Sequence, residues 1–169
     1  MAQLSLFSID STLMVRDSAG AFALATPDQI LEAARHAIDQ KVLRGQAFIG
    51  PRVAENYFRA KLAGLEHEVF SVVMLDTKHR LIAYVELFRG SISSAQIEPR
   101  EVVKECLRHN AAAVLMSHNH PSGDPYPSSA DIAVTKRLRE ALDLIDVRLL
   151  DHIVVGGNST VSMTSQGLL

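Results

Sequence analysis

His118-Asn119-His120 closes an apolar run, Ala112 to Ser117, that reads as a short buried strand. Alternate residues of an extended chain point to one side, so both imidazoles can reach one ion. Taken alone, the pattern also describes two polar side chains in a turn. Eight to eleven residues further on, Ser128-Ser129-Ala130-Asp131 opens a helix. A serine followed three positions later by an acid is a capping box, and the first helical turn that holds Asp131 faces the loop carrying the histidines. Two His and one Asp leave the fourth position of a tetrahedral zinc ion open to water, the arrangement of a catalytic rather than a structural site. The third candidate is Glu86, inside Leu81-Ile82-Ala83-Tyr84-Val85-Glu86-Leu87-Phe88, where both strand faces are largely apolar. A carboxylate buried on both sides is costly unless paired or coordinated, and its pKa rises toward that of a general base. The plainer alternative is a strand end at which Glu86 reaches solvent or pairs with Arg89. Glu86 is the candidate proton carrier.

The elements that must position these residues follow from periodicity and punctuation. Met1 to Ala25 carries neither clear period nor turn chemistry and is expected to be irregular or partly ordered. Thr26-Pro27-Asp28-Gln29 starts a helix with a capping box and a proline in its first turn, with Leu31, Ala34, Ile38 and Val42 as the apolar stripe. Gly50-Pro51 opens a second helix, with Val53, Tyr57, Phe58 and Leu62 on one side and an end at Gly64. The period then changes to that of a hairpin, Val69 to Leu75 and Arg80 to Phe88, around the polar turn Asp76 to His79. Pro99 to His109 is a helix facing inward through Val102, Val103, Cys106 and Leu107. The helix after Ser128 carries Val134, Leu138, Ala141 and Ile145, and strands Arg148 to Val155 and Thr160 to Thr164 close the chain. The order α, α, β, β, α, β, α, β, β describes an α/β or α+β domain with a mixed sheet.

Other polar residues are weaker candidates. Asp151-His152 lies in a terminal apolar strand, where a structural role or one behind a metal ligand is expected. His36, His67, His79 and His109 lack ligand spacing and read as surface residues. Cys106 reads as a buried, inert thiol. Gly156-Gly157-Asn158 is turn chemistry, since no helix follows it. Arg100, Lys104 and Arg108 form a basic stripe whose default is a solvated helix face.

Composition excludes several classes. A chain of 169 residues is long enough for one domain with a core, and one cysteine cannot build a disulfide framework, which favours the cytoplasm. With a net charge of -2, no Trp, six Phe and three Tyr, the chain offers neither a field for a phosphate backbone nor many stacking platforms, so DNA association has no support in composition. The apolar runs are far shorter than the ~20 residues that span a bilayer, and no membrane role or secretory leader is expected.

The string His118-x-His120, seven residues, Ser128-x-x-Asp131 resembles the motif of the JAMM (MPN+) metalloproteases, and its surroundings resemble the RadC branch of that family. The matching stretches are Pro99-Arg100-Glu101-Val102-Val103, Asn110-Ala111-Ala112-Ala113, His118-Asn119-His120-Pro121-Ser122-Gly123 and Leu150-Asp151-His152-Ile153-Val154-Val155-Gly156. The resemblance runs from about Glu66 to the carboxyl terminus. It implies a domain over residues 46–169 with a curved mixed β-sheet flanked by helices, preceded by a partly helical extension over residues 1–45. The helix-hairpin-helix region of longer RadC proteins has no counterpart. It further implies zinc held by His118, His120, Asp131 and a water, Ser128 helping to hold the tetrahedral intermediate, and Glu86 carrying the proton from water to the leaving amine. The implied partner is a peptide or protein substrate cleaved at an amide or isopeptide bond. The competing expectation is a non-catalytic accessory module that binds protein or DNA in repair or mobile-element maintenance. An open coordination position favours the enzyme. A metal-dependent nuclease is weaker still, because such sites are usually rich in carboxylates.

Overall fold

The structure, a computed structural model, describes residues 13–16, 20–41, 44–90 and 97–169. In chain order the elements are β1 (Met14–Arg16), β2 (Phe22–Leu24), α1 (Pro27–Lys41), α2 (Pro51–Leu62), β3 (Val69–Leu75), β4 (Leu81–Arg89), α3 (Pro99–Arg108), β5 (Ala113–His120), α4 (Ser129–Asp143), β6 (Arg148–Gly156) and β7 (Ser159–Ser162). The expected order is therefore met from α1 onward. The lead is not irregular throughout, because β1 and β2 pair as a short antiparallel hairpin.

The main sheet has the order β4-β3-β5-β6-β7, and only the β5/β6 pair is parallel. Helix α4 is the crossover that a parallel pair requires. Strand β3 is buried at all seven positions, and its sequence, apolar except for Ser71, is what a strand covered on both faces needs. On the first face, α2 lays Ala54, Tyr57, Phe58 and Leu62 against Val69, Val73, Leu75, Leu115 and Ile153. On the second, α3 and α4 lay Val102, Cys106, Leu138 and Leu142 against Phe70, Val72, Met74, Val114 and Met116. Burial raises the Cys106 thiol to about 11, in keeping with an inert thiol.

Two expected stripes shift by a residue. In α2 the inward position belongs to Ala54 rather than Val53, and in α3 Leu107 is exposed while Val102 and Cys106 face the sheet. Helix α1 starts with the expected reciprocal cap: Gln29 N donates to Thr26 Oγ1 at 3.2 Å and Thr26 N donates to Gln29 Oε1 at 2.9 Å. Of its expected stripe, Leu31 and Ile38 are half-buried, Ala34 is exposed, and Val42 lies outside the described residues. Polar links tie α1 to α2. Arg35 donates to the carbonyls of Lys61 and Ala63, and the buried Lys61 ammonium donates to Asp39 at 2.7 Å while lying 4.5 Å from the Tyr84 ring centroid.

Strand β5 runs further than expected. Its parallel register with β6 continues to His120 opposite Gly156, so both histidines lie on paired strand rather than in a loop. Even-numbered side chains of β5 enter the second face and odd-numbered ones the first.

Candidate metal centre

The strand parity carries His118 and His120 to the second face, at the end of β5 where α4 begins. There they meet Asp131, in the first turn of that helix. His118 Nε2 lies 3.0 Å from His120 Nε2. Asp131 Oδ1 is 3.5 Å from His118 Nε2, and Asp131 Oδ2 is 3.6 Å from His120 Nε2. The side chains of His118 and Asp131 are 0% and 2% exposed and that of His120 is 15% exposed, so the centre opens to solvent on the His120 side. Among the described residues, these three form a group whose ligand atoms all lie within 4.8 Å of one another and could hold a metal ion. Bonds of about 2.0–2.1 Å in tetrahedral geometry put ligand atoms roughly 3.3 Å apart. The two histidine nitrogens and the nearest Asp131 oxygens lie 3.0–3.6 Å apart, close to that value.

Each ligand is aimed by a partner behind it. His120 Nδ1 donates to the carbonyl of Asp124 at 2.7 Å, which in the neutral ring leaves the Nε2 lone pair facing the centre. That carbonyl is in reach because residue 156 is glycine. A Cβ there would lie 2.4 Å from Pro125 N and 2.7 Å from Gly123 O, so only a bare backbone lets the loop lie against the end of β6. His118 Nδ1 sits 2.8 Å from His152 Nε2, and His152 Nδ1 sits 2.6 Å from Thr135 Oγ1. His152 therefore stands behind a candidate ligand, while Asp151 takes the other expected course and is structural. Asp151 Oδ2 accepts from Ser162 Oγ at 2.6 Å, and its Oδ1 accepts from Thr164 N at 3.0 Å.

Ser128 forms the expected capping box with Asp131. Ser128 N and Oγ both donate to Asp131 Oδ2, at 2.7 and 2.6 Å, and Asp131 N donates back to Ser128 Oγ at 3.2 Å. The same bonds that satisfy the helix terminus thus turn Oδ1 toward His118. Burial alone would raise the pKa of Asp131, but the neighbouring imidazoles of His118 and His120, and then the Ser128 hydroxyl, hold it well below the usual carboxylate range. The adjacent Asp131 carboxylate is also the largest influence on His120, whose pKa it raises against the opposing effect of burial; the Asp124 carbonyl and the charge of Glu68 raise it further. Burial, reinforced by the charge of His118, pushes His152 well below its ordinary value and keeps it neutral.

Glu86 is not brought to this centre. The expectation of burial on both faces fails because β4 is an edge strand and Glu86 is exposed on it. Arg89 donates to Glu86 Oε2 at 3.0 Å and the Tyr84 hydroxyl donates to Oε1 at 3.2 Å. Register settles the face: Glu86 pairs with Ser71 and Ser71 with Ser117, so Glu86 shares the face of Ser117 and not that of His118. A register shift between Phe70 and Ser71, with Leu87 as the extra residue, sets that alignment.

Glu68, which sequence reasoning passed over, lies close enough for its charge to act on the centre. In the β3/β5 pairing Phe70 faces His118, and Glu68 lies two residues before Phe70, just ahead of the paired strand. Glu68 is half-buried, and its charge acts on His120. The segment is held in place by Asn119, whose side chain enters the first face between the two histidines. Asn119 Oδ1 accepts from Val69 N at 2.8 Å and its amide donates to His67 O at 3.0 Å. The signal available in the sequence was an acid immediately before a strand that is apolar but for Ser71.

A profile of the RadC-like JAB domain matches residues 49–168. Similar proteins include a UPF0758 protein of Vibrio cholerae, 52% identical over 141 residues, which are 83% of this chain and 89% of that one. UPF0758 proteins of Nitrosococcus oceani and Cellvibrio japonicus are 48% and 51% identical over 82% and 83% of this chain. The matched region spans 62% of the length of each of those two relatives.

Proposed function

The chain belongs to the RadC-like JAB domain family, and from that premise we propose that it is a zinc-dependent hydrolase of peptide or isopeptide bonds, with the ion held by His118, His120 and Asp131. The observation that carries this reading is the convergence of two Nε2 atoms and one carboxylate oxygen, with every other polar atom of the three side chains already engaged behind them. A bound zinc ion would supply Lewis acidity toward water and a scissile carbonyl.

The chain's own residues divide the remaining work. Glu68, rather than Glu86, is the proton carrier, because from its place just ahead of β3 its charge acts on His120, a candidate ligand. From there it accepts a proton from the attacking water and returns it to the leaving amine. Ser128 orients Asp131 through Oδ2, and its hydroxyl lies on the rim of the centre, where it can donate to a developing oxyanion once its bond to Asp131 yields. Asn119 fixes the strand that carries Glu68 and so sets the carboxylate's distance from the histidines.

Metal content by mass spectrometry tests the first half of the proposal. About one zinc per chain is expected in the parent and none in folded His118→Ala or Asp131→Ala protein. Zinc unchanged in both variants, or absent from the parent after resupply, would leave the accessory binding module as the reading to pursue. A peptide-library digest with Glu68→Gln as the control tests the second half.

A further inference from the structure

Behind the three ligands lies a row of contacts that crosses β5, β6 and α4. The Thr135 hydroxyl has one proton and three neighbours: the Asp131 carbonyl oxygen at 2.5 Å, His152 Nδ1 at 2.6 Å and, as a much weaker acceptor, Met163 Sδ at 3.7 Å. A carbonyl can only accept, so the proton goes to Asp131 O and the hydroxyl oxygen is left to accept from His152. His152 Nδ1 must then carry a hydrogen. The ring is fully buried and its two nitrogens face a threonine hydroxyl and another imidazole, neither of them an anion that would hold a second proton there, so its Nε2 accepts. His118 Nδ1, 2.8 Å from that atom, is therefore the donor, and the His118 Nε2 lone pair faces the metal centre.

We propose that Thr135 and His152 are positioning residues that fix the tautomer of His118, and that the direction of the whole row is set by the backbone carbonyl of Asp131, whose side chain is a candidate ligand. The inference rests on the reading of His118, His120 and Asp131 as metal ligands. A threonine bonded to the carbonyl four residues back is ordinary in a helix. The second bond, to a buried imidazole that touches a ligand, is what gives this one a role. If the Thr135 proton turned to His152 Nδ1, each donor in the row would become an acceptor and His118 would present an N–H to the ion. The edge of His152 against the Phe70 ring, at 5.7 Å between centroids, holds the imidazole in the plane the row requires. Ligands on different elements are thus coupled: the helix turn that supplies Asp131 also prepares His118.

Nitrogen-15 NMR of the histidine rings, paired with zinc affinity measured by chelator competition, tests this. In the metal-free parent, His118 and His152 both carry a hydrogen on Nδ1; a hydrogen on Nε2 of His152 overturns the proposal. Thr135→Val moves the His152 proton to Nε2 and weakens zinc binding about ten- to hundredfold, and Thr135→Ser restores both. Unchanged affinity in Thr135→Val overturns the proposal, as does weaker binding with the tautomer unmoved, which would indicate packing alone. Should Thr135→Val fail to fold, the parent spectrum decides by itself. A parent that binds no zinc overturns the ligand assignment, whereas the proton positions of the metal-free rings report on the row independently.

Discussion

The two faces of the β3/β5 strand pair each carry a buried polar cluster, and the two clusters do different things. On the second face, His118, His152, Thr135 and Asp131 are linked atom to atom, and two ring nitrogens and a carboxylate converge on one another. On the first face, Ser71, Ser117 and Asn119 spend their hydrogen bonds on backbone. Ser117 Oγ donates to Ile153 O at 2.6 Å, and Asn119 clamps the entry to β3. The difference teaches that in one strand chemistry follows parity. His118 and Asn119 are neighbours in sequence, yet one presents a reactive nitrogen and the other braces the scaffold that positions it.

The sharpest way to break this comparison is to neutralise Glu68 and Glu86 in turn. Glu68→Gln lowers hydrolysis of a verified substrate by about 10²–10⁴-fold with zinc retained, while Glu86→Gln leaves the rate within about twofold. Steady-state kinetics with metal analysis decides, and the reverse ranking would return the role to Glu86. Next in size is Gly156→Ala. The added Cβ cannot coexist with the loop backbone, so the Asp124 carbonyl withdraws from His120, zinc affinity falls about tenfold or more, and the fold loses roughly 1–3 kcal/mol. Chelator competition and denaturant melts read the two effects separately.

Acid should also act on the second face. The pKa of His120 is raised above 6.5, chiefly by Asp131, so an incoming ion must displace a proton over a wider range of acidity than for a free imidazole. Zinc affinity is expected to fall about tenfold per pH unit once the pH drops below that raised value, as titration calorimetry at several pH values would show. Stability of the metal-free chain runs the other way: the charged His120 contributes fully below pH 6.5, and that contribution is lost as pH climbs through the raised value. The smallest effect belongs to α1. Asp39→Asn removes the acceptor of Lys61, but with Asp39 53% exposed the loss is expected to stay below about 1 kcal/mol, with zinc affinity unchanged. A larger loss in a thermal melt would mean that α1 is more deeply coupled to the sheet than its packing suggests.

The parts of the centre that sequence revealed are those whose geometry is local. Two histidines at strand spacing and an acid three residues after a helix cap have only one way to point, and the helix and strand that hold them announce themselves by period. What stayed hidden depends on pairing. Glu86 sits among apolar residues and looks buried, but whether a strand lies at an edge is a property of its neighbours. Glu68 acquires its place from the register of β3 on β5 and from Asn119, more than 50 residues away in the chain. The extension of β5 through His120 needed the parallel partner β6, and the β1/β2 hairpin, with Phe22 and Leu24 exposed, had no apolar alternation to betray it.

The reciprocal bonds between Ser128 and Asp131 have a kinetic consequence. Because Ser128 holds both the carboxylate and the amide of Asp131, any opening of the first turn of α4 withdraws a ligand and bares that amide at the same moment. Hydrogen exchange at the Asp131 amide therefore counts how often the centre comes apart. An ion that binds only the closed form slows that exchange in proportion to its own occupancy, so one backbone proton reports on assembly with no substrate in hand.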